Sequence, residues 1–329
     1  MTSDDADDGA DDTLAGDGAG DGNDDGGGED PGLRHLTEVD DLSAAELSAV
    51  LDRAAAVKSG AADASDALDG RTLGMLFEKP STRTRVSFET GMTQLGGHAI
   101  FLGPDDVGLG GREPVRDISR VLSRYVDCVM ARLFDHATLV ELAEYATVPV
   151  VNGLTDAAHP CQTLADLLTL RELFDDLSGV RVAWVGDGNN VAQSFALGAA
   201  LAGVDLVVAT PPGYGLDEDV VSRAAALGGA PAVAESPAAA VAEADAVYTD
   251  VWVSMGEEAE RDEKLAAFDG FQIDEALLAG TEARLMHCLP AHRGEEVTDA
   301  VLEGDRSVVW QQAENRLHAQ KGLLLELLT

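Results

Sequence analysis

Residues 81–85, with the sequence STRTR, concentrate three hydroxyls and two guanidinium groups immediately after a proline. Ser81 or Thr82 can cap a helix that passes through Val86, Met92 and Leu95. The free amides of its first turn, the positive end of the helix dipole and the arginine side chains together suit an oxyanion, particularly phosphate. The alternative is an ordinary capped helix with solvated arginines, and one of these, Arg85, can instead pair with Glu89.

Three further polar side chains stand where they can meet a ligand. Arg132 follows the apolar run 126–131, at the end of a predicted strand, and either pairs with Asp135 or faces a bound group. His159 and Gln162 are three residues apart and hence adjacent on one helical face, where they can hydrogen-bond a small polar group. A histidine before proline can equally have only a structural role.

The elements around these residues alternate between strand and helix. Ser43 caps a predicted helix, and apolar runs in RTLGMLFEKP, HAIFLGP, VDCVMARLF, VRVAWVGDG, VDLVVATP and ADAVYTDVW predict buried strands. This alternation predicts an α/β fold with two doubly wound parallel-sheet domains joined by interdomain helices. Ligands of such sheets bind beyond the carboxyl ends of the strands, where the residues above are expected.

The predicted domain plan has four parts. Residues 1–32 are rich in Asp and Gly, contain no Lys or Arg, and are expected to form a disordered acidic tail. A first domain spans 33–150 and a second spans 151–305. A C-terminal helix, 306–329, is expected to return to the first domain.

The charge balance restricts the possible partners. The chain carries 60 acidic and 22 basic residues, with a formal net charge of -38. Binding of nucleic acid over a broad surface needs basic stripes and is therefore not expected. An acidic surface poor in lysine resembles that of proteins from salt-accumulating halophiles, where molar salt shortens the Debye length to about 3 Å. A general acidic interaction surface is the alternative.

The same composition bears on the compartment. We expect no membrane span, because no apolar stretch reaches the required length, and a cytoplasmic location, because the N-terminus lacks a secretory signal pattern. Cys128, Cys161 and Cys288 are odd in number and lack CxxC spacing, which argues against a disulfide framework and a zinc site.

The segment VGDGNNV follows a predicted strand and opens a helix, so a dinucleotide site has to be considered. Val191 occupies the position of the third glycine of the GxGxxG pattern. The next strand ends in VVATPP without the acidic residue that binds a ribose. These two departures argue against a nicotinamide cofactor.

The ordered motifs STRTR, MAR, HPCQTLADLLT, GDGNNV, DVWVSMG, HCLP and AENR resemble those of the aspartate/ornithine carbamoyltransferase family, from about Leu33 to the C-terminus. The HCLPAHR segment and the SMG motif favour its ornithine-specific branch. The resemblance implies transfer of the carbamoyl group of carbamoyl phosphate to the δ-amine of L-ornithine, giving L-citrulline and phosphate. It implies a homotrimer or an assembly of trimers, and no metal or redox cofactor is expected.

The resemblance also implies a role for individual residues. The first domain would bind carbamoyl phosphate and the second ornithine, with Arg132, His159, Asp250 and Cys288 as the catalytic residues. The residues implied for carbamoyl phosphate are Ser81, Thr82, Arg83, Thr84, Arg132, His159, Gln162, Cys288, Leu289 and Arg316. Those implied for ornithine are Asn190, Asp250, Ser254 and Met255.

One position departs from the family pattern. The family completes its phosphate site with a Gln or His from a neighbouring subunit, whereas Gly108 stands at the matching place here. Arg112 could compensate. A non-catalytic binding paralogue is therefore the alternative to an enzyme, and putrescine or an acylated ornithine are alternative acceptors.

Overall fold

The first sheet has four strands in the spatial order β2-β1-β3-β4, and every neighbouring pair is parallel. All five residues of β3 are buried, as expected for a central strand whose two faces are both covered. The computed structural model describes residues 34–109, 111–254, 256 and 258–329, so the predicted tail and Met255 lie outside the described residues. The strands are β1 (Thr72–Phe77), β2 (His98–Leu102), β3 (Cys128–Arg132) and β4 (Val150–Leu154).

The second sheet has five strands in the order β7-β6-β5-β8-β9, and it is also entirely parallel. Two parallel sheets, each built from strands that alternate with helices, confirm the predicted fold class. The strands are β5 (Arg181–Val185), β6 (Asp205–Ala209), β7 (Ala232–Val233), β8 (Ala246–Thr249) and β9 (Arg284–His287).

Two helices begin directly after serine residues predicted from the sequence as possible caps. Ser43 accepts a hydrogen bond from the Glu46 amide at the start of the first helix, and Ser81 accepts one from the Thr84 amide at the start of the second. The helices are α1 (Ala44–Ser59), α2 (Thr82–Gln94), α3 (Pro104–Val107), α4 (Val115–Leu122), α5 (His136–Tyr145), α6 (Pro160–Phe174), α7 (Asn190–Ala202), α8 (Glu218–Leu227), α9 (Pro237–Val241), α10 (Arg261–Ala267), α11 (Asp299–Leu302) and α12 (Val309–Leu328).

Helices α6 and α12 connect the two sheets. Residues 160–170 of α6 are all buried, because this helix packs against α12, α7, α1 and β4. Helix α12 packs against α1, α2 and α6, and also contacts β9. Side chains on these two helices can therefore act on groups from both sheets. None of the described helices combines the length and apolar character needed to cross a membrane.

Gly322 on α12 and Gly91 on α2 lie where α12 packs against α1 and α2, and substituting them tests how closely these helices approach each other. A Cβ on Gly322 would lie 2.9 Å from the Ala54 Cβ and still closer to the Val50 carbonyl oxygen. A Cβ on Gly91 would lie 3.4 Å from Lys321 Cγ, which is an ordinary contact. We expect Gly322→Ala to lower the free energy of unfolding by about 1–3 kcal/mol through overpacking. Gly91→Ala should be neutral or stabilising, because alanine favours the helix by about 1 kcal/mol.

Chemical denaturation of the two variants at one salt concentration measures this difference. Equal shifts for both variants would contradict the close approach of α12 to α1.

Candidate active site

A pocket of about 870 Å³ opens at the carboxyl ends of strands from both sheets. This is the position at which parallel sheets bind ligands. Of the residues predicted for the site, all except the undescribed Met255 line the pocket: Ser81, Thr82, Arg83, Thr84, Arg132, His159, Gln162, Asn190, Asp250, Ser254, Cys288, Leu289 and Arg316. The structure thus brings together residues separated by more than 200 positions in the sequence.

The N-terminus of α2 forms one wall of the pocket. Ser81 caps the helix and also donates its hydroxyl to Thr84 Oγ1 at 3.1 Å. The amides of Thr82 and Arg83 begin the helix and have no acceptor within it, so they can bind an anion together with the helix dipole. Arg85 does not line the pocket but pairs with Glu89 at 2.9 Å, as its alternative interpretation predicted.

Arg132 enters the pocket from the end of β3. Its side chain is buried, and within the described residues its Nε has no hydrogen-bond partner and no ion pair joins it to Asp135. Burial, together with the positive charges of Arg316 and Arg83, lowers the pKa of Arg132 to about 10. A buried cation beside two others is unfavourable, and a bound anion would relieve this repulsion.

Arg316 reaches the same region from α12. Its Nη1 donates to Gln162 Oε1 at 2.7 Å and lies 3.4 Å from His159 Nε2, while Nη2 approaches Thr84 Oγ1 at 3.5 Å. Burial and the nearby Arg316 and Arg132 charges hold the pKa of His159 well below its usual value. His159 is therefore neutral at pH 7, and a neutral imidazole can hydrogen-bond a substrate without adding charge.

The pocket also carries a buried carboxylate. Asp250 follows β8 and accepts from Asn189 Nδ2 at 2.9 Å and from Cys288 Sγ at 2.9 Å. Burial, and next the Asp250 charge, raise the pKa of Cys288 well above its usual value. Cys288 is thus a thiol that donates a hydrogen bond, not a thiolate nucleophile.

Asn190, Ser254 and Leu289 are the other predicted residues that line the pocket. Asn190 begins α7 and donates its amide to the Thr155 carbonyl at 2.6 Å. Leu289 has a φ of +59°, which is unusual for a non-glycine residue and is held by a 2.9 Å hydrogen bond from its amide to His287 Nδ1.

The buried residues that hydrogen-bond around Leu289 were not identified from the sequence. His287 and Glu296 are fully buried and lie 3.1 Å apart, Nε2 to Oε1. Because His287 Nδ1 accepts from the Leu289 amide, its Nε2 carries the proton toward Glu296. Asn189, beside the predicted Asn190, was also missed. The HCLP and GDGNNV motifs were the available signals, but they do not reveal which partners the fold brings close.

Gly108 ends the short helix α3 with a φ of +60°, a backbone conformation that favours glycine. A Cβ there would also lie 3.3 Å from the Arg112 Cβ. The turn itself therefore explains a glycine at this position.

Family comparisons match this arrangement over most of the chain. The model for the carbamoyl-P binding domain of aspartate/ornithine carbamoyltransferases matches residues 34–172, and the model for their Asp/Orn binding domain matches residues 178–327. The chain belongs to the aspartate/ornithine carbamoyltransferase family. The family and the carbamoyltransferase class predicted from the motifs are thus confirmed.

Individual carbamoyltransferases of this family are close to the chain. The ornithine carbamoyltransferase of Haloquadratum walsbyi is 63% identical over 91% of this chain and 99% of that protein. That of Methanoculleus marisnigri is 55% identical over 88% of this chain and 94% of that protein. The structure of the Pyrococcus furiosus ornithine carbamoyltransferase has a TM-score of 0.86 at 49% identity, covering 90% of this chain and 97% of that one.

Proposed function

We propose that the chain transfers the carbamoyl group of carbamoyl phosphate to the δ-amine of L-ornithine, giving L-citrulline and phosphate. The observation that carries this proposal is one pocket that is lined by both cationic and anionic groups. The buried guanidinium groups of Arg132 and Arg316 line it together with the Asp250 carboxylate and the Cys288 thiol that donates to it. Such a pocket suits a phosphate-bearing donor and an amine acceptor side by side.

At the phosphate end, the first turn of α2 binds the donor. Ser81, Thr82, Arg83 and Thr84 hold the phosphate through hydroxyls, amides and one guanidinium, as the residues of a helix N-terminus can. Arg132 contacts both the phosphate and the carbonyl oxygen. As the carbon–oxygen bond to phosphate breaks, negative charge moves onto the leaving phosphate, and these donors stabilise it without rearrangement.

The carbamoyl group lies between the phosphate and the amine. Arg316 and the neutral His159 stabilise the carbonyl oxygen, on which negative charge develops when the amine attacks. Gln162 Oε1 already accepts from Arg316 and keeps a lone pair for the carbamoyl NH₂. The Leu289 carbonyl accepts from the same NH₂. These contacts hold the carbamoyl plane in position for attack.

At the amine end, ornithine binds with its α-amino acid group near Asn190 and its amines near Asp250. Ser254, which lines the pocket, is a further ornithine-binding residue, and the SMG motif assigns the same role to Met255. The δ-ammonium first gives one proton to solvent, because only the free base has a lone pair with which to attack. As the carbon–nitrogen bond forms and the carbon–oxygen bond to phosphate breaks, the attacking nitrogen loses a second proton, which the leaving phosphate accepts. Asp250 and Cys288 orient that amine toward the carbamoyl carbon. The chemistry uses side chains of the protein and requires no metal or redox cofactor.

We propose a domain organisation and an oligomeric state together with this reaction. Residues 33–150 bind carbamoyl phosphate, 151–305 bind ornithine, and 306–329 return to the first domain; the packing of α12 on α1 and α2 supports the last point. We also propose a cytoplasmic homotrimer adapted to high salt. The net charge of -38, with only four lysines, supports the salt adaptation.

One assay tests the function. The protein is incubated in molar KCl with carbamoyl phosphate and, in turn, L-ornithine, N-acetyl-L-ornithine, putrescine and L-aspartate. We expect carbamoylation of ornithine alone. Product from another amine would change the acceptor, and no product from any amine would support the non-catalytic alternative.

Cys288→Ser tests the amine end more finely. Serine also donates a hydrogen bond to Asp250, so the variant should fold. Its C–O bond is shorter than the C–S bond of cysteine, so the donor is displaced. We expect the ornithine KM to rise by about 3- to 10-fold, which corresponds to the free energy of one hydrogen bond between residue 288 and the amine, and we expect kcat to fall. Cys128→Ala, in buried β3 and away from the pocket, is the matched control. Unchanged steady-state kinetics in Cys288→Ser would contradict the role of this thiol.

A further inference from the structure

Asp166 is a fully buried carboxyl group in the middle of α6, and it does not line the pocket. Its Oδ1 accepts from Gln162 Nε2 at 2.8 Å and from Gln312 Nε2 at 2.7 Å. Its Oδ2 accepts from the Tyr248 hydroxyl at 2.9 Å. One carboxylate thereby collects donors from α6, α12 and β8.

The hydrogen bonds beyond the two glutamines lead to Arg316 and to the segment beside Cys288. Gln162 Oε1 accepts from Arg316 Nη1 at 2.7 Å. Gln312 Oε1 accepts from the backbone amide of His287 at 2.9 Å, one residue before Cys288. Each glutamine therefore has its NH₂ toward Asp166 and its carbonyl oxygen toward a group that supports the site.

An ionised carboxylate only accepts hydrogen bonds, whereas a primary amide both donates and accepts. As long as Asp166 is ionised, neither glutamine can turn its amide around without placing oxygen against oxygen. A reversed Gln162 would also direct its NH₂ at the Arg316 guanidinium, two donors facing each other. The charge on Asp166 thus determines the direction of both hydrogen-bond chains.

We propose that Asp166 is a positioning residue of the transfer reaction, whose carboxylate fixes the Gln162 and Gln312 amides and through them Arg316 and the 287–289 segment. This inference rests on the proposed function for its kinetic consequences. Asp166 itself touches neither substrate.

The cost of burying this group supports a role beyond packing. Burial raises the pKa of Asp166 to about 7, although its hydrogen bonds from Gln162, Gln312 and Tyr248 and the Arg316 charge oppose this. The carboxylate that directs both amides therefore predominates above pH 7, and the kinetic tests below are made at pH 8. Cys288 also interacts with it electrostatically. Well-packed apolar side chains are often at least as stabilising as a buried charge, so stability alone gives no reason for a carboxylate here.

The first test is Asp166→Asn, which keeps the shape but lets either glutamine reverse. We expect the protein to fold and kcat to fall by about 10-fold, because a displacement of about 1 Å in a positioning group can cost up to 10²-fold. Neutron diffraction of the deuterated wild type should show both NH₂ groups facing Asp166. In the variant at least one amide should be reversed or mixed.

A second substitution should restore the direction of one chain. When Asp166→Asn is combined with Gln312→Glu, the introduced amide can donate to one oxygen of the introduced carboxylate while the other oxygen accepts from the His287 backbone amide. We expect kcat to recover toward the wild-type value, which a merely structural defect would not do. Tyr248→Phe is the control within the same cluster: it removes a donor to Asp166 but leaves both amides in place, and it should retain most of its kcat.

The outcomes separate the inference from the function. A folded Asp166→Asn with wild-type kcat, or a folded double variant no faster than Asp166→Asn, would overturn the inference. If Asp166→Asn does not fold, Gln312→Met decides: a changed kcat in the folded variant supports the inference, and an unchanged kcat overturns it. A wild type that makes no citrulline refutes the proposed function, whereas the amide orientations in the neutron structure are tested independently.

Discussion

Replacing Arg132 with Met is expected to reduce kcat by about 10²–10³-fold, the effect of losing a donor to a developing oxyanion. Arg132 is the group that contacts both the leaving phosphate and the carbonyl oxygen in the proposed reaction. Carbamoyl phosphate should also bind more weakly, because the substitution removes one of the buried guanidinium groups that line the pocket.

The same substitution should stabilise the ligand-free protein. Folding lowers the pKa of Arg132 to about 10, so its charged form is less favourable in the folded than in the unfolded chain. For a cation this cost is fully present below the folded-state pKa and disappears as the pH rises toward the unfolded value. At pH 7–8, removing the guanidinium should therefore raise the Tm while activity is lost.

Steady-state kinetics and thermal unfolding without ligand, both in the same salt, measure the two effects. Arg85→Met is the matched control, because Arg85 lies on α2 near the pocket but pairs with Glu89 and does not line it. A variant that loses activity together with stability would indicate that Arg132 supports the fold and is not held there for the substrate.

Asp250→Asn is expected to raise the ornithine KM by about 10²-fold, because removing one member of a buried charge pair costs about 2 kcal/mol or more. The variant keeps the side-chain shape and can still contact Asn189 and Cys288. The KM for carbamoyl phosphate should change little, since Asp250 stands at the amine end of the pocket.

This prediction also has a spectroscopic consequence. Burial is the larger cause of the raised pKa of Cys288, and the Asp250 charge is the next. Asp250→Asn should therefore lower the thiol pKa, which a pH titration of thiolate absorbance against Cys288→Ser can follow. Asp217→Asn, an exposed aspartate outside the pocket, is the control. Equal ornithine KM values for wild type and Asp250→Asn would refute an ammonium site at Asp250.

Local sequence signals predicted much of the fold and the site. Ser43 and Ser81 cap helices where their side chains can reach free amides, and Arg132 stands at a strand end because the apolar run before it fills β3. These features depend on neighbours within a few residues. Carboxyl ends of parallel strands then bring such residues to one edge, so the fold class already implied a shared pocket.

The supporting contacts could not be predicted in this way. Asp166 meets Tyr248 across 82 positions and Gln312 across 146, and the buried pair of Lys264 and Asp187 joins residues 77 apart. Polar residues within an amphipathic or apolar pattern carry no local sign of their distant partner. Only the packing of α6, α12 and the second sheet decides which of them meet.

The position of Arg316 on α12 means that the pocket is completed late in the synthesis of the chain. Arg316 and Thr84 approach each other across 232 positions, and α12 is the last helix described. During synthesis the α2 turn that is proposed to bind phosphate emerges from the ribosome long before its arginine partner, at about 5–20 residues per second. A nascent chain therefore has an incomplete pocket until α12 docks against α1.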